Sequence, residues 1–126
     1  MEGIILISLV GLGSAYALGY SKLMKIGVRQ LVVGNYERAM WIFNILIHLY
    51  PTATDGLINR GVIRSTYYHD YQGAVDDATQ VIEKRGKHLA VAYSNRGSAY
   101  SQLGKFDKAM KDFDKALALE PDALVL

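Results

Sequence analysis

The chain has 126 residues and a mass of 14.0 kDa, room for one modest core and too little for a two-domain enzyme. It has no cysteine, which excludes disulfide frameworks, thiolate metal sites and thiol nucleophiles together. Its 14 Lys and Arg against 12 Asp and Glu, a net charge of +2, are too balanced for a nucleic-acid protein held by phosphate contacts.

The first element is apolar. From Gly3 to Tyr20 the chain carries no charge, reading GIILISLVGLGSAYALGY between Glu2 and Lys22. At 1.5 Å per residue, about 20 residues cross a bilayer core of about 30 Å, so a transmembrane helix is predicted over residues 1–21. The start Met1-Glu2 lacks the basic segment of a cleaved signal. Lys22, Lys25 and Arg29 follow at once, and the positive-inside bias puts the N-terminus outside. Residues 22–126 are then expected on the cytoplasmic or stromal side of a bacterial inner or thylakoid-type membrane. Gly11, Ala15 and Gly19 recur every four residues, a stripe that lets another helix approach closely in lipid.

Beyond residue 20 the sequence repeats. Tyr36, Tyr71 and Phe106 are spaced by 35, as are Ala39, Ala74 and Ala109, then Phe43, Ala78 and Phe113, then Pro51, Gly86 and Pro121. Gly27, Gly61 and Gly97 are spaced by 34 and 36, which locates a one-residue insertion in the internal turn of the middle unit. Each unit reads as a helical hairpin. In the last one Tyr93, Gly97 and Tyr100 share a helical face, Gly104 supplies a turn, and Phe106, Ala109, Phe113 and Ala116 mark a second helix that stops at Pro121. Small residues stand where helices cross and aromatics fill the gaps beside them.

The pattern Tyr-x-Asn-Arg-Gly-x-Ala-Tyr, Gly-x-Phe, Ala-x-x-x-Phe-x-x-Ala and a closing Pro resembles the tetratricopeptide repeat. Unit three (90–123) follows it most fully, and unit one (20–53) through Leu23, Gly27, Gly34, Tyr36, Ala39, Phe43 and Pro51. Unit two (54–89) departs most, with Arg64 and Ala78 in place of aromatics, Gly86 in place of Pro, and a longer turn through Tyr67-Tyr68-His69. The expected fold is all-α, a short right-handed solenoid of three hairpins behind one transmembrane helix. Three units are about the minimum for such a stack.

Chemistry has few footholds. His48, His69 and His88 lie on three different units, without the spacing that gathers metal ligands on one helix face. Asp76-Asp77 and Asp112-x-Asp114 read as solvated outer faces of second helices. No catalytic residue, metal or cofactor is expected, nor any nucleic-acid partner.

The resemblance implies a binding groove along the first helix of each unit that receives an extended peptide or a partner's helix. Its positions here are Lys25 and Val28, then Asn59, Val62 and Thr66, then Val91, Ser94, Asn95, Ser98 and Gln102. Asn59 and Asn95 are equivalent, and an amide that both donates and accepts can hold a peptide backbone without reading its sequence. Relatives that clamp a chaperone's C-terminal carboxylate use cations where this chain has Met24, Val28, Val91 and Asn95.

One outer face differs from the others. Where units two and three carry Asp76, Asp77, Gln80 and Lys111, Asp112, Lys115, unit one carries Trp41, Ile42 and Ile45. An exposed apolar patch is expected there, covered by lipid or by a subunit of a membrane complex. After Pro121 the remaining residues are too few for a polar capping helix, so a partner or further chain is expected over that end. The sequence thus predicts a non-enzymatic, membrane-anchored adaptor that helps assemble or stabilise a larger membrane complex, photosynthetic or respiratory. The alternative is a tethered receptor for a soluble peptide or chaperone segment.

Overall fold

The computed structural model describes residues 2–121, with side chains from residue 16 onward. Six helices follow in order: α1 (Glu2–Val32), α2 (Tyr36–Leu49), α3 (Asp55–Thr66), α4 (Tyr71–Glu83), α5 (Leu89–Gln102) and α6 (Phe106–Leu119). Each packs on the next, and α3 also touches α5. The result is a stack of three hairpins, α1/α2, α3/α4 and α5/α6, with the first helices aligned along one side.

The turns obey one rule. Gly34 (φ 80°) and Gly104 (φ 75°) adopt the left-handed conformation that closes the first and third hairpins, and His69 (φ 54°) does so in the second. The middle turn is the longer one, as the spacing predicts, with residues 67–70 between α3 and α4. Asn35 and Asp70 cap α2 and α4, their side chains accepting from Arg38 N (3.4 Å) and Gly73 N (2.9 Å). At the equivalent position Lys105 gives α6 no side-chain cap.

The repeat glycines do what their spacing implies in hairpins one and three. A Cβ at Gly27 would lie 2.8 Å from Phe43 Cε1, and one at Gly97 would lie 2.8 Å from Phe113 Cε1. Each phenylalanine ring therefore presses on the glycine of the first helix, closer than a side chain there would allow. The largest apolar cluster follows from this contact, with Ala39, Ile42, Phe43, Leu46, Tyr50 and Ile63 buried between the first hairpin and α3.

Three outer-face assignments need correction. Asp77 is fully buried and Asp112 is 4% exposed, although both read as solvated in the sequence. Arg60 donates to both Asp77 oxygens (3.0 and 2.7 Å) and Arg96 to both Asp112 oxygens (2.8 Å each). Ile42 occupies the equivalent position in the first hairpin and is only 3% exposed, against the expectation of an outward side chain. The position faces the hairpin's own first helix in all three units, and two of them fill it with a paired carboxylate. Ile45 is half-buried, while Trp41 is 65% exposed as expected.

The arginines also join hairpins. Arg60 Nη1 reaches Asn44 Oδ1 on α2 (2.9 Å), and Arg96 Nη1 reaches Thr79 Oγ1 on α4 (3.2 Å). Asn44 and Thr79 are themselves equivalent, so one side chain bolts the second helix of its own hairpin to that of the hairpin before. The Asp112 hydrogen bonds hold the Arg96 guanidinium above its usual pKa, against the opposing effect of burial.

α1 runs through residues 21 and 22 without a break, so the apolar segment and the first repeat helix are one element. Among the described residues no helix is long and apolar enough to cross a membrane. The side chains of residues 3–15, Gly11 and Ala15 included, lie outside those described. Gly19 is a close-packing position, but a Cβ there would meet the Tyr50 hydroxyl at 2.9 Å, so its described neighbour is α2. Around it Tyr16 donates to the Leu49 carbonyl (2.8 Å) and Tyr50 to the Tyr16 carbonyl (3.0 Å). The Tyr16 and Tyr50 rings lie 4.3 Å apart, and Tyr20 donates to Asp55.

Candidate interaction groove

The first helices α3 and α5 flank an opening whose lining does not include Trp41. Between them lies a pocket of about 220 Å³. Its floor is apolar: Leu57 and Gly61 of α3, Ala74 and Ala78 of α4, and Ala92 of α5. Its rim is uncharged and largely polar, with Ser65 and Thr66 beside Ile58 and Val62 on one lip and Asn95 and Ser98 on the other.

Four of the groove residues predicted from the repeat line this pocket: Val62, Thr66, Asn95 and Ser98. Val91 and Gln102 are exposed further along α5, and Ser94 is half-buried. Lys25 and Val28 are exposed on α1, apart from the pocket. The two equivalent asparagines differ. Asn59 Nδ2 donates to the Asp55 carbonyl one turn earlier (3.0 Å), whereas the Asn95 side chain makes no hydrogen bond among the described residues and sits on the rim. Thr66 Oγ1 bonds back to the Val62 carbonyl (2.7 Å).

Gly61, Ala74 and Ala78 were not among the predicted site residues, yet they make the floor. Their signal was present in the sequence as the missing aromatic at position 78. A Cβ on Gly61 would meet nothing nearer than Asp77 Cβ at 3.4 Å, in contrast to the ring that lies on Gly27 and Gly97. The pocket is the space that Phe43 and Phe113 fill in the other two hairpins.

No group of three or more His, Asp or Glu side chains that could hold a metal occurs among the described residues. Two other surfaces are apolar. Trp41, Ile45 and Leu49 form a shallow depression on α2, and Phe106, Met110 and Leu117 are exposed on α6. The latter positions correspond to Tyr36, Met40 and Ile47 of α2, which pack against the neighbouring hairpin.

The tetratricopeptide repeat model matches residues 90–123. The second TPR of Spaghetti (RPAP3), bound to the HSP90 peptide SRMEEVD, superposes with a TM-score of 0.74 at 29% identity, covering 80% of this chain and 92% of that one. These helices form a tetratricopeptide-repeat solenoid. The second TPR domain of human RPAP3, in complex with the HSP70 peptide SGPTIEEVD, is similarly close to this solenoid (TM-score 0.76, 28% identity, 84% of this chain and 87% of that one). The Arabidopsis OM64 TPR domain shares the fold at 24% identity (TM-score 0.75, 82% and 84% covered). Among curated proteins, neutrophil cytosol factor 2 of Bos taurus is 54% identical over 33 residues, which is 26% of this chain and 6% of that protein. The chain therefore spans a small fraction of that relative's length. The opening between α3 and α5 belongs to a protein-interaction domain, and it lies among the first helices of the repeats.

Proposed function

We propose that the chain is a non-catalytic, membrane-tethered adaptor that holds an extended segment of a protein partner on the concave side of its three hairpins. The observation that carries this reading is the pocket between α3 and α5, an apolar floor within a polar rim whose Asn95 amide is free to pair with a peptide backbone. The similar RPAP3 domains, bound to HSP90 and HSP70 peptides, support an extended peptide as the class of ligand. Their peptides end in Glu-Glu-Val-Asp, and this chain has no cation at Met24, Val28, Val91 or Asn95 to meet a terminal carboxylate. A buried carboxylate without charged partners is costly, so the segment bound here is of another chemistry.

The tether rests on the uncharged stretch from Gly3 to Tyr20 and on its continuity with the first repeat helix. Tyr16, 52% exposed, stands near the end of that stretch, and tyrosines favour the boundary between hydrocarbon and water. An N-out orientation, with the hairpins on the side of Lys22, Lys25 and Arg29, follows from the same bias. A second reading, assembly of a membrane complex through the convex face, is favoured by the exposed Trp41 beside Ile45 and Leu49.

The test compares the two faces in the full chain, purified from membranes in mild detergent. Ser98→Arg places a long cation over the groove and is expected to abolish partner retention with unchanged circular dichroism, while Trp41→Lys leaves retention intact. Loss of retention in Trp41→Lys with none in Ser98→Arg would transfer the function to the convex face.

A further inference from the structure

The middle hairpin lacks a ring that its neighbours possess, and it keeps the space for one. In hairpins one and three the glycine of the first helix receives Phe43 or Phe113. In hairpin two the equivalent glycine remains, Gly61, but its partner has shrunk to Ala78, and among the described residues no other large side chain has moved in. A void of this kind normally destabilises a domain in proportion to its size. Here it is not sealed but opens between α3 and α5 onto the proposed groove, beside Asn95 and Ser98.

We propose that this pocket is an anchor site for one large apolar side chain of the bound segment, an aromatic ring or a Leu-sized aliphatic group, so that the partner supplies the aromatic missing from the repeat. This rests on the concave-face reading given above. Three observations select the occupant. The volume of about 220 Å³ exceeds the cavity of about 150 Å³ that holds a benzene ring in an engineered core. The space matches a phenylalanine in outline, since Phe43 and Phe113 occupy its counterparts on Gly27 and Gly97. The lining also carries no charged side chain, so a Lys, Asp or Glu entering it would lose its hydration without a partner. The polar rim then addresses the backbone on either side of the anchor, with Asn95 offering both a donor and an acceptor. Recognition of this form reads one residue closely and its flanks loosely.

The experiment uses the full chain in phosphatidylcholine nanodiscs and two probes. The first is a heptapeptide phage library, with the selected peptides resynthesised and their affinities measured by fluorescence anisotropy. Expected are sequences sharing one Phe, Tyr, Trp or Leu, whose replacement by Ala weakens binding by about 10- to 100-fold. Ala78→Phe, which restores the residue of the other hairpins, is expected to weaken the same peptides by a similar factor while the melting temperature holds or rises. The second probe is p-cresol, titrated onto the native chain by amide NMR. Shift changes are expected at Gly61, Ala74 and Ala78.

Peptides without an apolar anchor overturn the proposal. So does binding that survives Ala78→Phe but falls in Asn95→Ala, in which case the groove reading stands and the pocket does not. Absence of any selected peptide removes the groove reading and the pocket with it. If Ala78→Phe does not fold, p-cresol decides, and unperturbed amides at Gly61, Ala74 and Ala78 overturn the anchor.

Discussion

At the scale of single residues, the most instructive position is the one shared by Ile42, Asp77 and Asp112. It is buried in every hairpin, and the chain solves it in two ways. The first hairpin uses Ile42 on α2 with Ile26 at the arginine position of α1, while the others pair Asp77 with Arg60 and Asp112 with Arg96. Buried ion pairs lose much of their Coulombic gain to desolvation, yet removing one partner leaves a buried charge uncompensated. Asp112→Ala is therefore expected to cost about 2 to 3 kcal/mol, less than the ~3 to 5 kcal/mol usual for a fully buried pair, because the Arg96 side chain is still 19% exposed. Arg96→Ile with Asp112→Ile, which copies the first hairpin, is expected to cost less than Asp112→Ala alone. Urea denaturation of the three proteins checks both, and a double variant less stable than the single would refute the equivalence of the two solutions. The sequence displayed these positions in register but not their burial, because a carboxylate on a second helix looks solvated until the opposing arginine, 16 or 17 residues earlier, is known to reach it.

At the scale of elements, the helix ends carry the differences among the three units. α2 and α4 begin at Asn35 and Asp70, which accept from the first turn, whereas α6 begins at Lys105, whose side chain donates only. Lys105→Asp is expected to raise stability by about 1 kcal/mol, through both the cap and a negative charge at the positive end of the helix. A melting temperature that fails to rise would show that the α6 terminus is satisfied in another way. The turn of the middle hairpin offers a second case. His69 holds a left-handed conformation that Gly34 and Gly104 adopt freely, and an ordinary side chain there costs about 1 to 2 kcal/mol. His69→Gly is expected to recover about 0.5 to 1 kcal/mol after the greater entropy of glycine in the unfolded chain is allowed for. Differential scanning calorimetry measures it directly. The position of this turn was legible in the one-residue change of spacing, since turn length is a local property of the chain.

At the scale of the whole molecule, three apolar regions extend past the repeat core: the uncharged stretch that leads into the packed part of α1, the convex surface around Trp41, and the exposed Phe106, Met110 and Leu117 of α6. If the first is a membrane tether, Leu9→Arg places a charge near its middle at about 2.5 to 3.5 kcal/mol on insertion scales. The variant is expected to leave the membrane fraction on alkaline washing, while its hairpins keep their helicity. Unchanged retention would mean that residues 3–20 do not hold the protein to a bilayer. The groove should be indifferent to this substitution, because its walls are α3 to α5 and none of them contains the apolar stretch.

By itself the sequence determined the three hairpins, their register, their turns and the small-against-aromatic contacts of the outer two. All of these follow from short-range periodicity and from residues whose backbone or size admits one role. Which side chains are buried where two helices face each other was decided only in the tertiary structure. Asp77 and Asp112 turn inward because arginines on the first helices reach them, and Ile42 turns inward with them. The pocket has the same origin. Ala78 in place of phenylalanine appeared in the sequence as a defect in the pattern, and it becomes an opening because it lies between α3 and α5 where no other side chain among the described residues fills the space.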